Sequence, residues 1–177
     1  MYLTLCLGPM FSGKTSFCIN KYRQYKKKGC RLLVVNHQHD IRYGNNSIIN
    51  HDGLSIPAIS MSSLLDIDVS QYDVIIVDEG QFFPDLLDFV KVNMKYKDTR
   101  VYISGLQGDI NCNKFGHICD IIPYCSDIKH FKSICDICAN ECAFTGRKGN
   151  YVEQTVIGGD DLYYKCTKCG YEWQSSG

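Results

Sequence analysis

The stretch LCLGPMFSGKTSF, residues 5–17, passes from an apolar run through a glycine-bounded loop into a helix-compatible segment. Its core, GPMFSGKT (8–15), fits the pattern G-x-x-x-x-G-K-[ST], and the strand-loop-helix context is the one that pattern needs. Gly8 and Gly13 allow backbone angles that other residues resist. The amides of Gly8, Pro9–Phe11 flanking it, and Ser12–Gly13 (proline excepted) can therefore turn inward toward phosphate oxygens, beside the positive end of a helix. Lys14 supplies a mobile charge for the outer phosphates, and Thr15 offers a hydroxyl to Mg²⁺. The segment thus predicts a nucleotide-binding loop lined by Pro9, Met10, Phe11 and Ser12.

Working outward, four apolar runs read as strands: 2–7, 31–36, 73–78 and 100–105. Three of them are rich in β-branched residues and do not alternate, as strands buried on both faces of a parallel sheet do not. Helices are expected over 14–28 and 84–96, the second opening on Pro84 and carrying Leu86, Phe89, Val90 and Asn93 on one face. A short helix or turn is expected over 116–122. Strands alternating with helices predict an open α/β sheet whose ligands bind at the carboxyl ends of the strands. The third run ends in Asp78 and Glu79. One carboxylate can hold a metal, and the other can accept a proton from an attacking hydroxyl or water. The pair alone does not separate a hydrolase from a kinase.

From about residue 133 the character changes to paired cysteines, glycines and short β-like runs, predicting a first unit over 1–132 and a second over 133–177. Cys135-x-x-Cys138 and Cys166-x-x-Cys169 give two thiolate pairs with 27 residues between them (139–165). Two such pairs complete a tetrahedron around zinc and leave no open position, so the metal is structural. It would pin the ends of the intervening loop. The remaining cysteines, 6, 18, 30, 112, 119, 125 and 142, read as small buried hydrophobes.

Lys and Arg number 19, as do Asp and Glu, for a formal net charge of zero. That balance argues against a polyanion-binding surface. The basic run at 21–29 reads as a solvated helix end. No basic, apolar leader and no apolar run of roughly 20 residues is seen, so the expectation is a cytoplasmic protein with neither membrane nor nucleic-acid partners.

Taken together, GPMFSGKT (8–15), Asp40-Ile41-Arg42-Tyr43, His51-Asp52, DEGQFFPD (78–85), GLQGDINCNKF (105–115), both cysteine pairs and the VIGG…Y of 156–163 resemble the type II thymidine kinases, over nearly the whole chain. The resemblance implies a P-loop (RecA-like) α/β sheet with helices on both faces and a small zinc-binding "lasso" domain. It implies ATP with Mg²⁺ and thymidine as substrates, one structural zinc ion, a homotetramer, and feedback by thymidine triphosphate. Glu79 matches the base that deprotonates the 5′-hydroxyl. Lys14, Thr15 and Asp78 match phosphate and magnesium contacts. Asp40, Ile41 and Arg42 match residues near the phosphates, as do Gly80 and Gln81, which follow the acidic pair in the same segment. Met10, Phe82, Leu106, Phe115 and Tyr163 match side chains around base and sugar, with Ile110 where phenylalanine is usual. Thr145 and the backbone of Gln154, Thr155, Val156, Ile157 and Gly158 match the lasso. Asn36, Ile110 and the single basic residue Lys114 depart from the family pattern.

Two other readings carry the same loop and acidic pair. One is a kinase for a different nucleoside. The other is a nucleotide-switched nucleic-acid-binding ATPase with a zinc ribbon, which the zero net charge disfavours.

Overall fold

A computed structural model describes residues 1–38, 46–50, 52–109, 111–135, 137–142, 145–147, 162–165 and 168–173. The strands are β1 (Tyr2–Leu7), β2 (Leu32–His37), β3 (Ser47–Ile49), β4 (Ser55–Pro57), β5 (Ile59–Met61), β6 (Val74–Val77), β7 (Arg100–Gly105) and β8 (Asp127–His130). Beyond them lie β9 (Ser133–Ile134), β10 (Glu141–Cys142), β11 (Thr145–Arg147), β12 (Leu162–Lys165) and β13 (Glu172–Trp173). The α-helices are α1 (Lys14–Lys27) and α2 (Leu86–Asn93).

Six strands form one sheet in the order β5-β2-β6-β7-β1-β8, every pair of them parallel. The expected α/β architecture is therefore present. The non-alternating runs have the predicted cause, because successive residues bury on opposite faces. Leu33, Val35, Ile75, Val77, Val101 and Ile103 face one core with Leu86, Phe89 and Val90 of α2. Val34, Val74, Ile76 and Tyr102 face the other, against Cys18 and Ile19 of α1 and Ile48 and Ile56 of the β3–β4 hairpin. Strands this apolar have no solvent-facing side on which polar residues could alternate.

Four predicted strands and α1 agree within a residue. The second helix is shorter than the expected 84–96, spanning Leu86–Asn93. Pro84 precedes it instead of opening it. The carboxylate of Asp85, at the cap position, serves the neighbouring turn: it accepts from Ser63 Oγ (2.8 Å) and from the amides of Leu64 (2.7 Å) and Leu65 (3.0 Å). At the other end Asn93 Nδ2 donates back to the Phe89 carbonyl at 2.8 Å. The four residues predicted for one face are all buried. The segment expected at 116–122 is a 3₁₀ helix over Ile118–Tyr124.

The edge strands β5 and β8 went unpredicted. They have three and four residues, and Ile59 and Ile128 on them are exposed, so neither carries a buried apolar run. Cys6 and Cys18 are buried as expected, and burial pushes the Cys6 thiol up to about 12. Cys30, Cys119 and Cys125 are half-buried. Cys112 corrects the reading. It is exposed, with φ of 60°, on a tight turn where Asp109 Oδ1 accepts from the amides of Asn111 and Asn113. The basic helix end is as read: Arg23, Lys26, Lys27 and Lys28 are exposed. Among the described residues, no helix is long and apolar enough to cross a membrane.

Candidate active site

The loop between β1 and α1 wraps closely. A Cβ added to Gly8 would lie 2.5 Å from the Phe131 carbonyl oxygen and 2.8 Å from Ser12 Oγ, so only glycine fits there. Gly13 takes φ of 89° as the residue capping α1. Ser12 Oγ donates to the Pro9 carbonyl at 2.8 Å. Lys14 is buried, and its ammonium donates to the carbonyls of Gly8 (3.0 Å) and Pro9 (2.5 Å). Carbonyl oxygens thus cradle the charge at the mouth of the loop.

The sheet order sets the acid against this loop. Asp78 follows β6, the loop follows β1, and β7 runs between them. Thr15 Oγ1 donates to Asp78 Oδ2 at 3.3 Å. Oδ1 accepts from Ser104 Oγ at 2.5 Å and from the Glu79 amide at 3.1 Å. Cys18, on the next turn of α1, donates to Ser104 Oγ at 3.4 Å. Burial, then the nearby Asp78 charge, pushes the Cys18 thiol well above its ordinary value. The neighbouring hydroxyl and carboxylate, Thr15 and Asp78, are hard oxygen donors of the type Mg²⁺ takes.

Glu79 has a left-handed backbone, φ 53° and ψ 43°. A non-glycine residue there is strained, and such strain collects at functional sites. Gln81 fixes its side chain: Nε2 donates to Glu79 Oε2 at 2.6 Å, while Oε1 accepts from the Leu106 amide at 3.0 Å. Gln81, expected beside the phosphates, is thus buried, with its amide strung between Glu79 and the end of β7. Two glycines make room for it. A Cβ on Gly105 would fall 2.2 Å from Gln81 Oε1, and one on Gly116 2.2 Å from the Gln81 carbonyl oxygen. Gly80 lies against Ile103, where a Cβ would sit 2.7 Å from Cγ2.

One cavity gathers these groups. Met10, Phe11, Gly13, Lys14, Thr15, Asp78, Glu79 and Leu106 line it, together with Asn36 and the β3–β4 hairpin residues Ser47 to Asn50. Asn36 is buried, and its Oδ1 accepts from the His37 amide at 2.9 Å. Asn50 Nδ2 donates to Ser16 Oγ at 2.8 Å, tying the hairpin to α1 one residue past Thr15. Phe82 and Phe115 meet edge to face, centroids 5.5 Å apart. Lys114 forms an ion pair with Asp120, whose carboxyl is held below the usual range by Lys114 and then His117.

The cysteine site is partly visible. The Sγ atoms of Cys135, Cys138 and Cys169 all lie within 4.8 Å of one another, and those of Cys135 and Cys169 are 3.7 Å apart. Tetrahedral Zn–S bonds of about 2.3 Å require sulfurs about 3.8 Å apart, so the spacing fits that ion. Asn140 Nδ2 donates to Cys138 Sγ at 3.1 Å, and Ala139 turns the chain through φ of 54°. β9 and β10 pair around this turn, and Ser133 Oγ donates to the Met10 carbonyl at 3.1 Å.

Asp40, Ile41, Arg42, Ile110, Gln154, Thr155, Val156, Ile157, Gly158 and Cys166 lie outside the described residues. Thr145 and Tyr163 sit on β11 and β12, which pair with Thr145 opposite Tyr164 and Gly146 opposite Tyr163. Sequence reading missed Ser104, Asn50 and the positioning role of Gln81. The tight glycines at 105 and 116 are the signal that could have pointed to Gln81.

The family model for thymidine kinase matches residues 1–171. The thymidine kinase of Myxoma virus (strain Uriarra) is 35% identical over 168 residues, 93% of each chain. That of Rabbit fibroma virus (strain Kasza) is 35% identical over 171 residues, 95% of each chain. That of Vaccinia virus (strain Western Reserve) is 32% identical over 171 residues, covering 95% of this chain and 96% of the viral one.

Proposed function

The chain belongs to the thymidine kinase family, and from that premise we propose how its residues divide the work. The reaction moves the γ-phosphoryl group of ATP to the 5′-oxygen of thymidine, giving thymidine monophosphate and ADP. The loop amides and Lys14 bind the phosphates, and Asp40, Ile41 and Arg42 are assigned beside them by the family pattern. Lys14 exchanges its loop carbonyls for phosphate oxygens. Thr15 and Asp78 would hold Mg²⁺, which neutralises charge on the triphosphate.

Glu79 takes the proton of the 5′-hydroxyl as the oxygen attacks phosphorus. Gln81 aims that carboxylate. The observation that carries this assignment is Glu79, clamped by Gln81, lining the same cavity as Lys14, Thr15 and Asp78. Met10, Phe82, Leu106 and Phe115, with Ile110 and Tyr163, form the apolar side toward thymine and its 5-methyl group. Thr145 and the main chain of Gln154 to Gly158 form the lasso over the base. Fixed main-chain donors and acceptors reject cytosine, whose edge leaves buried groups unpaired at about 1–3 kcal/mol each.

Cys135, Cys138 and Cys169, with Cys166, would hold one Zn²⁺, which cross-links the base of the lasso. On this reading residues 1–132 form the ATP-binding domain and 133–177 the lasso domain. The family also suggests a cytoplasmic homotetramer restrained by thymidine triphosphate. Light scattering and a triphosphate titration test those two points.

The test of the function is a panel of nucleosides with Mg-ATP, following ADP release. Thymidine is expected to support turnover far above deoxycytidine, uridine or no nucleoside. Equal ADP release without any nucleoside would overturn the reading in favour of an ATPase.

A further inference from the structure

We propose that Ser104 is a positioning residue for the metal-holding carboxylate of Asp78, fixing the rotation that turns one oxygen inward and the other toward Thr15. The inference rests on the reading of Asp78 as a Mg²⁺ holder. Its own evidence is the hydrogen bonding at the end of β7.

β7 lies between β6, which delivers Asp78, and β1, which delivers the phosphate loop. Cys6, two residues before Gly8, pairs with Ser104 in register, and Val77 pairs with Ile103. Ser104 therefore stands at the one strand end that adjoins both halves of the site. It is fully buried. Its hydroxyl has a single proton and two acceptors in reach: Asp78 Oδ1 at 2.5 Å and the Val77 carbonyl at 3.4 Å. The nearer, charged oxygen takes it, since bonds to ionised acceptors are the stronger kind. Cys18 donates its S–H to the same hydroxyl oxygen, which leaves the Ser104 proton directed at Asp78.

Oδ1 thus receives a hydroxyl and the Glu79 amide from inside the protein. Oδ2 is turned toward Thr15. Without Ser104 the carboxylate keeps its place in the chain and the longer contacts to the Glu79 amide and Thr15. It loses the shortest of the three donors that restrain its rotation about the Cβ–Cγ bond. Partners of this outer kind typically alter metal affinity or activity by about 10–100-fold.

The test compares Ser104→Ala, Ser104→Cys and Asp78→Asn in the full chain. Two quantities are read: the Mg²⁺ concentration for half-maximal turnover, and the calorimetric Kd for ATP with Mg²⁺ and with a chelator. Ser104→Ala is expected to raise the Mg²⁺ requirement about 10-fold. It should cut the Mg²⁺-dependent gain in ATP affinity by a similar factor, about 1.4 kcal/mol, and leave metal-free ATP binding unchanged. Ser104→Cys fills the same space with a weaker donor and shifts both in the same direction by less. Wild-type values in both Ser104 variants, with Asp78→Asn abolishing the Mg²⁺ dependence, would overturn the role of Ser104 alone. An unmoved Mg²⁺ dependence in Asp78→Asn would overturn the reading of Asp78 and this inference with it.

Discussion

Gln81 spends both ends of its amide on position: one on Glu79 and one on the Leu106 amide. A proton acceptor needs its oxygen within hydrogen-bond reach of the hydroxyl it serves. A flexible glutamate in a left-handed turn would meet that need only part of the time. Gln81→Ala is therefore expected to lower kcat by up to ~10²-fold, with the Kd for ATP little changed, as steady-state kinetics beside calorimetry would reveal. A loss confined to ATP binding would return Gln81 to the phosphate contact that the sequence suggested. At this scale the sequence exposed Lys14, Thr15, Asp78 and Glu79, which the structure gathers around one cavity, because a glycine-bounded loop and an acidic pair closing a buried strand are local patterns. It hid the groups that hold them. Ser104 and Gln81 act through contacts between segments more than twenty residues apart (|i−j| of 26 and 25), which no local pattern records.

Among the elements, the buried strands were legible and the edges were not. Val74–Val77 announces itself by apolarity on both faces, whereas β5 and β8 pair on one side only and carry exposed isoleucines. The ends of α2 misled because Asp85 spends its carboxylate on Ser63, Leu64 and Leu65. The cysteine turn was legible through spacing, and its geometry adds the Asn140 amide as a donor to the Cys138 sulfur. Metal analysis should find one zinc per chain. Stripping it with a strong chelator is expected to raise the KM for thymidine at least ~10-fold, since metal binding and local folding are coupled. ATP binding to the β1–α1 loop should persist. Parallel loss of ATP and thymidine binding would show instead that the metal supports the whole fold.

For the molecule as a whole, the order β6-β7-β1 is the organising fact. It brings the acidic pair, the Ser104 hydroxyl and the phosphate loop together at the carboxyl ends of neighbouring strands, and residues of the β3–β4 hairpin line the same cavity. Strand, helix, strand alternation foretold an open parallel sheet. It did not foretell that β7 would separate the two halves, since strand order depends on crossovers that leave no mark on the apolar runs themselves. Phosphoryl transfer with Glu79 as the proposed proton acceptor is reached most directly by one measurement: thymidine-dependent ADP release by Glu79→Gln beside the unaltered enzyme, with ATP binding recorded on the same samples. The expected result is a kcat lower by ~10²–10⁴-fold with ATP affinity intact; turnover near that of the unaltered enzyme would contradict it.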